Sequence, residues 1–121
     1  MCSDKAEIIR AIFAAYGAHD RAAVESFFAD DFLFTSPYDD AIDKATYFDR
    51  CWQDPGWLES QQLEKIMVDG SEVFVTYRCV ARDGKSFRNT EFFRFEGDKV
   101  RSIDVYFGAT YRNGVFVKLP Q

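Results

Sequence analysis

Apolar residues recur every three or four positions through much of the first fifty residues, and every second position from about residue 60 onward. That change of period marks a change from helix to strand. Early in the chain Ile9, Ile12, Phe13 and Tyr16 fall on one helical face, and Asp4 with Glu7 forms a capping box at its start. Gly17 stops that helix. Asp20 can cap a second, shorter one whose apolar stripe is Val24, Phe27 and Phe28. The stretch FLFTS (32–36) reads as a strand, ended by Pro37 and the turn-prone Tyr38-Asp39-Asp40. A third helix is predicted from near Asp43, with Tyr47, Phe48, Cys51 and Trp52 on one side, and Pro55-Gly56 breaks it.

Period-two runs follow at about 61–68, 72–81, 86–96 and 99–107, separated by Asp69-Gly70, Asp83-Gly84 and Gly97-Asp98. These are hairpin signals, because Gly tolerates the positive φ that primed turns require. Asn113-Gly114 suggests one more hairpin near the end. Three helices and a strand followed by an antiparallel meander make an α+β architecture with helices on one face of a sheet.

Alternation assigns the meander two faces. One carries Val73, Val75, Tyr77, Cys79, Glu91, Phe93, Phe95, Ile103, Val105 and Phe107, apolar enough to pack against the helices. The other carries Phe74, Thr76, Arg78, Thr90, Phe92, Arg94, Ser102, Asp104 and Tyr106. With Phe74, Phe92 and Tyr106 open to water, the second face would be an unusually large apolar patch. The expectation is a homodimer through this face, with Arg78 or Arg94 near Asp104; a C-terminal tail folded over it is the alternative.

One acid breaks the apolar face. In TEFFRFEGDKV (90–100), Glu91 points the same way as Phe93 and Phe95, where a carboxylate is costly to ionise unless something stabilises it. Composition adds a setting for it. Of 121 residues, 17% are aromatic, including 13 Phe and 6 Tyr, which argues for large core walls or a ring-lined cavity. A net charge of −5 disfavours nucleic-acid and anionic-membrane partners, both of which need basic patches. Cys2, Cys51 and Cys79 form a scattered odd set, so neither a disulfide framework nor a zinc site is implied. MCSDKAEIIR has acids where a signal peptide would be basic, and no apolar run approaches the ~18 residues of a spanning helix. A single cytoplasmic domain over 1–121 is the expectation.

The run AIFAAYGAHDRAAVESFFADDFLFTSP (11–37) resembles the helix–turn–helix–strand opening of the SnoaL-like group within the nuclear transport factor 2-like superfamily. TEFFRFEGDKVRSIDVYFG (90–108) resembles the closing hairpin of the same group. The resemblance implies a cystatin-like fold, a curved antiparallel sheet wrapped around three N-terminal helices to form a conical cavity, usually in a homodimer packed through the sheets. Activities carry over only position by position. Where ketosteroid isomerase has a general-base Asp before the proline that ends its first strand, this chain has Ser36. The isomerase's first-helix tyrosine falls on Ile12, with Tyr16 one turn on, and its protonated carboxylic acid falls on Glu91. One role in three is matched in kind, which argues against steroid isomerisation. The catalytic Asp of limonene epoxide hydrolase falls on Val105, and its Arg and Asp pair roughly on Tyr77 and Cys79. The histidines of scytalone dehydratase have no counterpart set, since His19 is the chain's single histidine and sits in a turn.

Glu91 is therefore the candidate catalytic residue. In a dry cavity desolvation raises a carboxylic acid's pKa, and a neutral Glu can donate to a ligand carbonyl. Against this stand two other readings: hydrogen bonding to a ligand without chemistry, and a structural acid that accepts from Tyr16 or Tyr77 or pairs with Arg101 or Arg88. Tyr16, Tyr38, Tyr47, Trp52 and Tyr77 are expected to line or cap the cavity, with Phe93, Val105 and Phe107 on its wall. Asp39 and Asp40, in the loop after Pro37, offer a displaced base at the mouth, against the ordinary reading of a solvated loop pair. Ser36 has no His partner, and no cluster has metal-ligand spacing, so neither metal nor cofactor is expected. Two functions stay open: an isomerase, dehydratase or hydrolase acting on a small apolar carbonyl compound, and a dimeric module that binds such a molecule or another protein without turnover.

Overall fold

The helices begin where short acids can hold their first N–H groups. Asp4, Asp20 and Asp43 each turn a carboxylate onto a backbone N–H of the following turn, at Ala6, Ala23 and Thr46. In a computed structural model describing residues 4–52 and 55–118, these caps open α1 (Lys5–Gly17), α2 (Arg21–Phe27) and α3 (Lys44–Cys51). The strands are β1 (Phe28–Ser36), β2 (Asp39–Asp43), β3 (Leu58–Asp69), β4 (Glu72–Ala81), β5 (Lys85–Glu96), β6 (Lys99–Arg112) and β7 (Val115–Val117), and a single 3₁₀ turn at Pro55–Trp57 precedes β3. Cys2 lies outside the described residues. Cys51 and Cys79 are free thiols.

The sheet order is β2-β1-β6-β5-β4-β3, with β7 pairing β6. β3 to β6 form the antiparallel meander that the Gly-containing turns predict. Asn113 and Gly114, with φ of 51° and 77°, form the primed turn into β7. Two pairings go beyond the sequence reading. β1 is longer than FLFTS, starting at Phe28, and it joins β6 in parallel, Phe34 opposite Ile103. Asp39 and Asp40, expected as part of a turn, open a short strand, Asp39–Asp43, beside β1. The result is an α+β fold with a curved, open sheet.

The inner face follows the alternation. Val73, Val75, Phe93, Phe95, Ile103 and Val105 form one core cluster with Ile9, Ile12, Val24, Tyr47 and Phe48 of the helices, and Tyr77 and Cys79 on the same face are buried too. Phe28 and Phe32 stack at 4.3 Å and close the core beneath α3. Burial of this apolar set drives the fold, at about 25 cal/mol per Å² removed from water.

Parity breaks twice along the β5–β6 pair: between Arg94 and Phe95, beyond which Val100 takes the inward position, and again near Gly108. Phe87 pairs Thr110 while Asn89 pairs Phe107, so β6 carries one extra residue opposite Arg88. This β-bulge needs Gly108, because a Cβ there would lie 2.1 Å from the Arg88 carbonyl oxygen. Beyond it the inward position passes from odd to even: Thr110 is buried and Phe107 is left 41% exposed.

On the outer face Arg94 Nη1 lies 3.1 Å from Asp104 Oδ2, which selects Arg94 over Arg78 as the neighbour of Asp104. The tail does not cover this face in the described residues, since β7 lies beside β6, paired with Thr110–Arg112. No helix among the described residues is long and apolar enough to cross a membrane.

Candidate functional site

Between the helices and the inner face lies a cavity of about 290 Å³. α1 supplies Phe13 and Tyr16, α3 supplies Tyr47 and Cys51, and Trp52 follows α3 directly. The sheet supplies Tyr77 from β4, Asn89, Glu91 and Phe93 from β5, and Val105 and Phe107 from β6. Helical spacing aims Tyr16 inward from one turn beyond Ile12. Strand alternation brings Glu91 and Phe93 to the same wall.

Glu91 has one protein partner on that wall. Tyr77 Oη donates to Glu91 Oε2 at 2.5 Å, and Asn89 Nδ2 in turn donates to Tyr77 Oη at 3.2 Å. Oε1 of Glu91 accepts no hydrogen bond from the described residues. Burial raises the Glu91 carboxyl to about 7, while the Tyr77 hydrogen bond pulls the other way. The arginines that sequence offered as partners are engaged elsewhere: Arg88 with Glu64, and Arg101 with Asp31 and Glu96.

Across the cavity the hydroxyls of Tyr16 and Tyr47 are hydrogen-bonded to each other. Burial raises both phenols above their ordinary range, and the charge of Glu91 adds to the rise in each. Tyr77 is raised likewise, by burial and then by Glu91. All three tyrosines therefore stay protonated and act as donors. In the Tyr16–Tyr47 pair one hydroxyl hydrogen is used within the pair, and the accepting partner keeps its own for a further acceptor.

Tyr38 does not line this cavity. It is 67% exposed, with its ring 5.6 Å from Phe107. The turn is held by Ser36, whose Oγ accepts from Tyr38 N–H and donates to Asp39 Oδ2, and this places Tyr38 outside. Asp39 and Asp40 do not line it either, and Asp39 Oδ1 sits 2.9 Å from Arg50 Nη2. His19 is exposed in its turn, at φ 55°. Its ring nevertheless stacks on Trp52 at 4.9 Å at the cavity edge. Asn89 is a polar residue that sequence reasoning missed, although it lies two positions before Glu91 and shares its face. Phe13, Gln61 and Trp57 also line the space without having been singled out.

A family model for the SnoaL-like domain matches residues 9–103. The chain belongs to this SnoaL-like family. Solved structures of the same fold agree. A nuclear transport factor 2-like protein of unknown function from Cytophaga hutchinsonii superposes with a TM-score of 0.73 at 16% identity, covering 88% of this chain and 92% of that one. A nuclear transport factor 2-like protein from Burkholderia thailandensis gives 0.70 at 21%, covering 87% and 91%. No curated protein matches. A de novo designed protein with a curved β-sheet gives 0.71 at 12% identity, covering 84% and 82%, so likeness of backbone carries no chemistry by itself. Membership of the SnoaL-like family supports a small-molecule-binding fold. What this member's cavity does has to be argued from its own side chains.

Proposed function

We propose that the SnoaL-like chain binds a small, mostly apolar carbonyl compound in this cavity and acts on it by acid–base chemistry through Glu91. The observation that carries the reading is a cavity-facing carboxyl with one oxygen held by Tyr77 and the other without a partner among the described residues, in a ring-lined space where burial pushes its pKa up to about 7. Because Oε2 already accepts from Tyr77, the proton of neutral Glu91 belongs on Oε1, the oxygen free to meet a ligand. Donation from Oε1 to a carbonyl oxygen draws electrons from the carbonyl carbon and acidifies the hydrogens beside it. The ionised form can accept such a proton. Both forms are populated at neutral pH, which is where acid–base groups work best. Isomerisation or dehydration of a carbonyl compound is the reaction class that this supports. The volume favours a ligand of one or two rings, since small-molecule sites usually run from about 300 to 1,000 Å³.

A second reading, binding without turnover, is favoured by one observation: no second carboxylate lines the cavity among the described residues. The two separate on a panel of unsaturated and β-hydroxy ketones followed by ultraviolet absorbance. Turnover with an inflection near pH 7 that falls roughly 100-fold or more in Glu91→Gln supports the enzyme. Saturable binding with no turnover across the panel leaves the binding module.

We also infer that the outer sheet face seats a second copy of the chain. Phe74 and Phe92 stack there at 4.4 Å, with Phe74 46% and Tyr106 57% exposed. The Arg94 guanidinium lies over the Phe92 ring.

A further inference from the structure

Beside the cavity is a second, smaller hollow of about 200 Å³, walled by Tyr38, Phe87, Asn89, Phe107, Gly108 and Thr110. Asn89 and Phe107 line both spaces, so the hollows adjoin. The β6 bulge creates the second one. Parity shifts there, Thr110 takes the inward position, and the residue at the bend is a glycine with no side chain to fill the corner. Three rings frame what is left: Phe87, stacked with Trp57 at 6.3 Å; Phe107; and Tyr38, set 5.6 Å from Phe107. Tyr38 and Phe107 remain substantially exposed to water, a cost that a ligand lying against them would remove. None of the six lining residues is charged.

We propose that this hollow is a second subsite of the same ligand site, and that it takes a flat aromatic or conjugated tail of the molecule whose carbonyl end meets Glu91. The inference rests on reading the main cavity as a ligand site. At ~30 Å³ per water, 290 Å³ equals roughly ten waters, room for one or two rings but not for a longer extended system. A longer molecule has to leave the cavity, and the adjoining space past Asn89 and Phe107 has ring walls to receive it. The uncharged lining selects against a phosphate or carboxylate tail, which would lose hydration with nothing to replace it. The ligand class is therefore an aryl-extended carbonyl compound with an apolar distal end.

The test is a pair of probes, benzylideneacetone and its para-biphenyl analogue, titrated calorimetrically into wild type, Tyr38→Ala, Phe107→Ala and Glu91→Gln. The added ring is expected to tighten binding to wild type by roughly tenfold or more. That advantage should shrink to within about twofold in Tyr38→Ala and Phe107→Ala. Tyr38 is exposed and outside the core, so its variant reads the subsite without risk to folding. Glu91→Gln should weaken both probes alike and leave their ratio intact. An added ring that brings no gain in wild type, or a gain that survives in both ring variants, overturns the subsite. If Glu91→Gln binds both probes as wild type does while the ratio still depends on Tyr38 and Phe107, the acid–base reading falls and the subsite stands. If neither probe binds, both fall.

Discussion

Tyr77 and Glu91 are diagonal neighbours across β4 and β5, and the hydroxyl of the first donates to Oε2 of the second. In that ladder Val75 stands opposite Glu91 and Tyr77 opposite Asn89, so the contact reaches along the strand by two residues. Asn89 completes the arrangement by donating to the same phenol oxygen, which leaves the Tyr77 hydrogen for the carboxyl. One oxygen of Glu91 is thus committed to the protein and the other is not.

Glu91 should make the folded protein lose stability as pH rises through neutrality. Its folded pKa, about 7, lies above the ~4.3 of an unfolded glutamate, so between those values the native state binds more protons than the unfolded one. Its contribution is fully present below about pH 4 and gone above about pH 7, a fall of roughly 4 kcal/mol at most. Carboxylates with lowered values, such as Glu64 and Asp83, lose their contribution only in more acid solution and leave this window clear. Urea midpoints of wild type should therefore decline from pH 5 to 8, and those of Glu91→Gln should be nearly flat. Parallel curves would show that Glu91 titrates normally.

Tyr77→Phe should move the Glu91 titration upward. The hydrogen bond it removes favours the charged carboxylate, and burial would then act unopposed. The substitution also takes the acceptor from the Asn89 amide, at a cost of about 1–3 kcal/mol if no water replaces it. Carbon-detected NMR of the Glu91 carboxyl reads the midpoint directly. A midpoint below the wild-type value would contradict the assigned direction of the bond.

How far these positions could be read from sequence depended on whether local chemistry or tertiary packing set them. The hairpins were legible because Asp-Gly and Asn-Gly pairs state their turn geometry, and alternation then put Glu91, Tyr77 and Phe93 on one wall. The same parity rule predicts Asn89, which was passed over because a neutral amide carries no ionisation signal. Tyr38 was misplaced because its direction depends on the Ser36–Asp39 hydrogen bonds of a turn, and turn residues have no period. The stacking of His19 on Trp52 joins elements far apart in sequence, with no local signal for it. The parallel pairing of β1 with β6 lies beyond strand patterning, which cannot name a strand's neighbour. The bulge at Gly108 lies just past the period-two run that ends at 107, and it reverses the faces beyond Phe107.

Gly108→Ala is expected to be costly. The new methyl would be placed 2.1 Å from the Arg88 carbonyl oxygen, and both groups belong to paired backbone, so relief requires the bulge itself to shift. Overpacking of this kind costs about 1–3 kcal/mol, a drop in Tm of several degrees in a domain of this size. Gly17→Ala makes the control, because a Cβ there meets nothing within 4 Å. Thermal melts showing equal Tm values for the two variants would mean that the bulge is not held as described.

Phe74→Glu should convert a dimer to a monomer without disturbing the cavity. Phe74 stacks on Phe92 on the outer face and is 46% exposed, so in the single chain a glutamate costs that one stack, about 0.5–1.5 kcal/mol, and leaves the core untouched. In a dimer packed through this face the substitution removes a central aromatic anchor, worth about 2 kcal/mol or more, and buries an unpaired charge in its place. Two kilocalories correspond to a roughly 30-fold weaker association. The added penalty for the charge should put the variant's dissociation constant well above that. Sedimentation velocity at micromolar concentration is expected to show wild type as a dimer and Phe74→Glu as a monomer, with the same Glu91 titration in both because the outer and inner faces alternate along the strand. Wild type sedimenting as a monomer would remove the second copy from this face and leave Phe74, Phe92 and Tyr106 as a patch with another role.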